Sequence, residues 1–284
     1  MAVAHPPEDE QTKLWNGPAG HAWVDEQALL DQMFKPFEDL LVEAVAAGPG
    51  GQVLDIGCGT GSTTLAVARR LGANGRCVGI DISEPMITAA RSRAERENPP
   101  ASFLRESAQL HAFEPASFDM LLSRFGVMFF DDPVRAFTNL RHAAKDGAAC
   151  RFIAWRSAAE NPFMTTAERA AAPLLPNLPV RRPDAPAGQF AFADQHRVAA
   201  LLEASGWAEI DIQPIDVACT LPESELVRYL TRLGPVGLFL QQADDRTRVQ
   251  VIETVRAAFE PYVHGADVRF SAACWTIGAR APRP

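Results

Sequence analysis

Two aspartates and three glycines are the residues of this chain whose types and spacing point most directly to chemistry. In VLDIGCGTGSTT (53–64) an acid, Asp55, precedes glycines at alternate positions, Gly57, Gly59 and Gly61. Glycine lacks a Cβ and reaches backbone angles closed to other residues, so the chain can turn tightly there and let a ligand lie against it. A helix starting just beyond offers unpaired N–H groups. A carboxylate at that point is wrong for a phosphate and suits a ligand end bearing an ammonium group. The second acid, Asp81, closes CVGID (77–81), and a carboxylate at such a strand end commonly accepts both hydrogen bonds of a ribose diol. Two plainer roles compete: glycines can serve turn geometry alone, and Asp81 can cap the helix beginning near Ser83-Glu84-Pro85. Ser83 is itself a good N-cap, however, and Pro85 a good early-helix residue.

These residues need a scaffold, and the alternation of element types supplies one. QVLDI, TTLAVARRL, the turn GANG, CVGID, PMITAARSRAER and SFLRE read as strand and helix in turn from about residue 52 to 106, which predicts a parallel sheet covered by helices. FDMLLSRF follows as a strand, VRAFTNLRHAAK as a helix, Asp146-Gly147 as a turn and ACRFIAW as a fifth strand. NPFMTTAERAAAPLL then reads as helix, PNLPVRRPDAPAG as a proline-rich loop and DQHRVAALLEASG as helix. WAEIDIQPIDV and VRFSAACWTIGA supply the last two strands, with further helices around 223–260 between them. The expected fold class is α/β: a doubly wound, mostly parallel seven-stranded sheet with an N-terminal helical lid and a helical cap inserted after strand five. The expected units are a helical arm or lid over 1–48, a ligand-binding core over 49–156, a helical insertion forming a substrate cap over 157–205, and completion of the sheet by 206–284.

Composition removes several function classes. The chain has 284 residues, 47% of them hydrophobic, enough for a sizeable buried core. Its 27 Lys+Arg against 35 Asp+Glu give a formal net charge of −8, and the only paired basics are Arg69-Arg70 and Arg181-Arg182. A nucleic-acid or anionic-membrane partner needs a concentrated cationic face and is not expected. The start, MAVAHPPEDEQTK, is polar and acidic, unlike a signal peptide, and no apolar run is long enough to span a bilayer, so the expected location is the cytoplasm. Five scattered cysteines without C-x-x-C spacing predict neither a disulfide framework nor a metal site. A monomer or homodimer is expected.

VLDIGCGTG followed by VGIDIS resembles the first two motifs of the class I S-adenosylmethionine-dependent methyltransferases of the small-molecule type, and the likeness extends over roughly residues 10–160. Ribose plus an amino-acid ammonium on a glycine turn describes that cofactor. The resemblance implies a Rossmann-like methyltransferase fold whose last strand is antiparallel, with S-adenosyl-L-methionine as cofactor and S-adenosyl-L-homocysteine as product. It implies that Asp55, Gly57, Gly59 and Gly61 wrap the methionine part, that Asp81 holds the ribose, and that Ile82 and Met86 flank the adenine. The third motif departs from the family's Gly-Asp-Ala and reads Glu106-Ser107-Ala108, which puts Ser107, a weaker acceptor than aspartate, opposite the adenine amino group, beside Ala108. SRFGVMFF (123–130) resembles the stretch beside the methionine moiety and brings in Ser123. KDGA stands where the family often has Pro-Gly-Gly, and Asp-Gly also makes a turn. In LWNGPAGHAWVDEQ (14–27), Trp15, Gly17, Gly20 and Trp23 resemble an N-terminal cap folding over the cofactor; the tryptophans serve equally to pack the arm onto the core.

The acceptor side is less legible. Asn161, Phe163 and Met164 follow the end of strand five at Trp155-Arg156, and with Phe190, Phe192, Phe239 and Leu240 they are candidates for an apolar acceptor pocket, Arg156 orienting an acidic group. Each also suits a satellite core. The expected partner is thus a small, hydrophobic or aromatic methyl acceptor. No base is assigned: among His5, His21, His111, His142, His196 and His264, only His21 and His111 are candidates by position, and methyl transfer to an acidic or soft nucleophile can rest on alignment. Two other classes remain in view. One is a protein of this fold that binds the cofactor and promotes another reaction. The other is a nicotinamide-dependent dehydrogenase, disfavoured because Ser62 stands where G-x-G-x-x-G needs its third glycine and neither Tyr229 nor Tyr262 has a lysine four residues on.

Overall fold

The structure, a computed structural model, describes residues 10–45, 50–178 and 187–283. His5, Arg181-Arg182, the expected boundary at residue 48 and most of the proline-rich loop lie outside the described residues. The chain opens with four short helices, α1 (Glu10–Asn16), α2 (Pro18–Asp25), α3 (Gln27–Met33) and α4 (Lys35–Glu43). Gly17 and Pro18 start α2 as N-cap and first-turn residue. Leu29, Leu30 and Met33 of α3 and Phe37 and Leu41 of α4 are buried, so the arm is packed onto the core by an apolar stripe.

The expected alternation follows: β1 (Gln52–Ile56), α5 (Ser62–Leu71), β2 (Arg76–Asp81), α6 (Glu84–Glu97), β3 (Ala101–Arg105), β4 (Phe118–Arg124), α7 (Pro133–Ala143) and β5 (Ala144–Trp155). Beyond it come α8 (Pro162–Ala171), α9 (Gln195–Ala204), β6 (Ala208–Pro222), α10 (Leu226–Arg232), α11 (Gly234–Leu240), α12 (Asp245–Ala258), β7 (Val263–His264) and β8 (Asp267–Arg280). The sheet order is β3-β2-β1-β4-β5-β8-β6. Strands β1 to β5 pair in parallel, and β8 lies antiparallel between β5 and β6. Order therefore reverses between β1 and β4, the place where a doubly wound sheet opens a crevice at its carboxyl edge. The central strands are covered on both faces, and Val53, Leu54, Ile56, Leu121 and Leu122 are buried, each contributing roughly 1.5–3 kcal/mol of burial.

Two details differ from expectation. The eighth strand is the two-residue β7, paired only with β8. Asp146-Gly147 is not a turn ahead of strand five but a bulge within it: the register moves from Phe118↔Ala144 to Met120↔Ala149. Gly147 takes φ +77° and its N–H donates to the Ala281 carbonyl at 2.9 Å, so the extra residues stay hydrogen-bonded and the strand is not interrupted.

Candidate cofactor cleft

The carboxyl ends of β1, β2 and β4 meet under the arm. The glycine turn after β1 is fastened to β2, with the N–H groups of Gly57 and Cys58 donating to the Ile80 carbonyl at 2.8 and 3.1 Å. Gly57 has φ +66°, and a Cβ there would lie 2.6 Å from the Cα of Gly126. Bare backbone thus meets bare backbone where β1 and β4 end. Gly59, at φ +54°, faces Met86 and Trp23, its added Cβ 3.5 and 4.0 Å from their Sδ and Nε1.

Asp81 braces this turn. Its Oδ2 accepts from the Gly59 N–H and its Oδ1 from the Ser83 N–H, both at 2.9 Å. Burial raises its pKa, against those N–H donors. Each oxygen keeps acceptor capacity for a hydroxyl. Ser83 is the N-cap of α6, its hydroxyl accepting from the Met86 N–H at 3.4 Å. The two candidate roles of Asp81 are therefore divided: Ser83 caps the helix and Asp81 joins its entry to the glycine turn. Asp55, 1% exposed, accepts from the Thr64 hydroxyl at 2.6 Å. Burial pushes its carboxyl up to about 7, with Thr64 and the nearby Arg124 acting in the other direction.

Aromatic rings enclose the space. Trp15 meets Trp23 and Phe129 edge-on at 5.8 and 5.3 Å, while Phe34 packs on Phe125 at 5.5 Å and Phe125 stacks on Trp155 at 4.7 Å. Trp15, Trp23, Asp55, Gly57, Gly59, Asp81, Ile82, Met86, Ser107 and Ala108 all border one cleft, together with Gln11, Phe34, Glu106, Arg124, Phe125 and Phe129. Residues from β1, β2, β4, α6, the loops that join them and the arm are brought together.

The remaining candidates lie elsewhere. Gly61, at φ +85°, is the N-cap of α5, and a Cβ there would strike the Phe103 ring at 2.8 Å; it serves packing behind the turn. Ser123 is a strut: its hydroxyl donates to the Ile56 carbonyl at 2.7 Å and accepts from the Gly126 N–H at 3.1 Å. None of the acceptor-pocket candidates borders the cleft. Trp155 is buried beneath Phe125, and Phe163 stacks on Phe270 at 3.8 Å. The Asn161 amide both donates to and accepts from the backbone of Ala273, each at 2.9 Å. Arg156 is paired with Glu160 (3.0 Å) and Asp216 (3.2 Å) and lies over Trp275, so its charge is already neutralised. Met164, Phe190 and Phe239 are partly buried against the core and Phe192 is within it. His111 packs on Phe113 at 4.6 Å, and His21 and Leu240 border a separate groove between α2 and α10–α12. All five cysteines are buried free thiols.

Sequence reading singled out only Ser123 from SRFGVMFF, passing over Arg124 and Phe125, and it missed Asn16 and Phe34 altogether. For Arg124 the signal was present: FDMLLSR carries a lone cation at its end, just beyond the apolar run Met120-Leu121-Leu122.

Fold and cleft together resemble those of the class I S-adenosylmethionine-dependent methyltransferases. Residues 53–147 match the family model described as a methyltransferase domain. Among curated relatives, the chain is 36% identical over 118 residues to nocamycin O-methyltransferase of Saccharothrix syringae, covering 41% of this chain and 42% of that protein. It is 33% identical over 122 residues to aklanonic acid methyltransferase DauC of Streptomyces sp. (strain C5), covering 43% and 56%. The chain spans about half the length of the curated relatives it matches. Its fold is similar to phosphoethanolamine N-methyltransferase 2 of Haemonchus contortus in complex with S-adenosyl-L-methionine (TM-score 0.59, 15% identity, 98% of this chain and 61% of that one). It is similar also to the [4+2]-cyclase SpnF (TM-score 0.58, 17% identity, 93% and 95%).

Proposed function

We propose that this protein is an S-adenosyl-L-methionine-dependent methyltransferase acting on a small, hydrophobic or aromatic metabolite. The observation that carries the reading is the convergence of Asp55, the Gly57–Gly59 turn and Asp81 in one cleft roofed by Trp15 and Trp23. The bound cofactor supplies an electrophilic methyl group on a sulfonium. The chain's own residues hold and align it: Asp55 takes the ammonium, backbone at Gly57 and Gly59 lies along the tail, Asp81 accepts from the ribose, and Ile82, Met86 and Ala108 form the adenine slot. Trp15, Trp23 and Phe129 exclude water and present ring faces and edges to the cationic centre. No histidine borders the cleft among the described residues, so acceleration rests on in-line alignment with an acceptor whose own proton is acidic or absent.

Apolar lining at Phe34, Phe125, Phe129 and Phe130 favours a small apolar acceptor over a polymer, and the names of the two actinobacterial relatives agree. The formal charge of −8 argues against a nucleic-acid acceptor, and among the described residues no helix is long and apolar enough to cross a membrane. Turnover of radiolabelled cofactor with phenols, quinols, thiols and amines, alongside bulk tRNA and protein extract, tests the proposal. Label in small molecules together with S-adenosyl-L-homocysteine is expected, and a Gly59→Val variant that folds should not bind the cofactor. Label confined to macromolecules would overturn the small-molecule acceptor. The fold likeness to a [4+2]-cyclase favours one second reading, in which the cofactor is bound and not consumed; substrate conversion without S-adenosyl-L-homocysteine would establish it.

A further inference from the structure

Helix α2 borders two separate spaces. Trp23 lines the cleft described above, whereas His21, Ala22 and Asp25 line a groove whose other walls are α10, the end of α11 and α12. The two spaces share no lining residue, and the groove's volume of about 760 Å³ is that of a small-molecule site. Its lining is apolar at Ala22 and Leu240, which are buried, at half-buried Ile252, and at Val227, which is 42% exposed. The charges on it do not balance: two guanidinium groups, of Arg232 and Arg248, face it with one carboxylate, of Asp25. Arg248 is fixed, donating to the Leu240 carbonyl from Nη2 and Nε at 3.0 and 3.3 Å and pairing with fully exposed Asp245 at 3.4 Å. The Arg232 side chain has no hydrogen bond or ion pair among the described residues. The last turn of α10 suits a cation there, yet no carboxylate answers it. Asp25, on the opposite wall, stands instead near Arg228. A chain of net charge −8 thus turns surplus positive charge onto an apolar groove. Apolar walls take a hydrocarbon or ring body, and one free guanidinium fits a planar carboxylate through two parallel N–H donors. Asp25 facing the same space disfavours a dianion such as a phosphate ester.

We propose that the groove between α2 and α10–α12 is a second small-molecule site, for an apolar monocarboxylate whose head pairs with Arg232 and whose body lies on Leu240, Ile252 and Val227. The site stands apart from the cofactor cleft and does not rest on the cofactor reading. Its occupant touches the helix that carries Trp23, so the acid is held between the arm and the C-terminal helices.

The probes are decanoate, decanol and decylamine, titrated calorimetrically into the full chain with and without saturating S-adenosyl-L-homocysteine. Decanoate should bind about three- to tenfold more tightly than decanol, between the range of an exposed ion pair and that of a charge-assisted hydrogen bond, and decylamine should bind most weakly. Arg232→Gln should bring decanoate down to the level of decanol, and Arg232→Glu should put decylamine ahead. Since the exposed Arg232 side chain bonds to nothing in the fold, both variants should keep the wild-type thermal transition. Val227→Asp, at the exposed edge of the groove, should weaken decanoate while leaving the guanidinium in place. Saturating S-adenosyl-L-homocysteine should leave decanoate bound. Failure of decanoate to bind, equal affinity for decanoate and decanol, or an unchanged preference in Arg232→Gln each overturns the site. Displacement of decanoate by S-adenosyl-L-homocysteine overturns it too, by placing the acid in the cleft. None of these outcomes touches the cofactor assignment, which binding of S-adenosyl-L-homocysteine itself tests.

Discussion

Asp55 titrates near neutrality because the fold buries it before any ligand arrives. Its carboxyl is raised from an ordinary 3.8 to about 7, burial being the first cause. Between roughly pH 4 and 7 the folded protein therefore holds a proton that the unfolded chain has lost, so the contribution of Asp55 to stability falls as pH rises through that window. A cation placed against it favours the ionised form and reverses the preference. Cofactor binding below pH 7 should accordingly release close to one proton. Affinity should rise by up to about tenfold per pH unit towards 7 and then level off. Calorimetry of S-adenosyl-L-homocysteine binding at pH 6 in two buffers of different ionisation enthalpy measures the proton directly. Asp55→Asn should abolish the release and flatten the profile; an unchanged profile in that variant would assign the titration to another group. The same burial that makes Asp55 responsive makes Gly57 and Gly126 sterically closed, for a Cβ on Gly126 would lie 2.5 Å from the Ile56 carbonyl oxygen.

The arm is held at the junction between β2 and α6 by directed contacts as well as by its apolar stripe. The Asn16 side chain donates to the Ile82 carbonyl at 3.1 Å and accepts from the Glu84 N–H at 2.8 Å, and the Ser83 hydroxyl donates to the Trp15 carbonyl at 2.6 Å. α2 comes close enough to make this possible only because residue 20 is glycine: a Cβ there would overlap the Trp15 carbonyl oxygen and stand 3.1 Å from Ser83 Oγ. At its far end the arm is tied to α10, where the buried Glu26 pairs with Arg228 at 2.7 Å. These few bonds position Trp15 and Trp23 over the cleft, and the proposed lid role of the arm predicts that cofactor retention depends on its docking. Asn16→Ala removes three hydrogen bonds, two of them to the β2–α6 junction and one within α1 to the Thr12 carbonyl, worth about 0.5–1.5 kcal/mol each. The core should stay folded while S-adenosyl-L-homocysteine affinity drops roughly tenfold and proteolysis within residues 10–26 quickens. Gly20→Val should do more. Ligand should slow cleavage of the wild-type arm, and equal rates with and without it would argue against closure.

For the whole molecule, what could be read in advance was the half whose signals are local. Strands β1 to β5 and their helices follow one another as short apolar runs with glycine, proline or aspartate between them, and the cleft residues fall at the ends of those runs. The second half is organised by contacts between distant residues, which no local pattern reports. Asn161 and Phe163 lie just after β5, in the stretch from which an acceptor wall was expected. Their partners are Ala273 and Phe270, more than a hundred residues away, and the pairing makes them core. Arg124 erred the other way, a pocket cation hidden in a strand that reads as interior. The reassignment of Asn161 is testable because the two roles fail differently. Its amide, 1% exposed, satisfies both the N–H and the carbonyl of Ala273 and so locks the start of α8 to β8. Asn161→Ala leaves the buried Ala273 N–H unpaired, while the Ala273 carbonyl keeps the Arg156 N–H at 3.0 Å; one such orphan costs about 1–3 kcal/mol, so urea denaturation should show a loss of roughly that size. Affinity for S-adenosyl-L-homocysteine should be unchanged, since the residue touches no part of the cleft. Full stability combined with a raised KM for the acceptor would instead return Asn161 to the pocket, because a side chain that only recognises substrate has no part in holding the sheet.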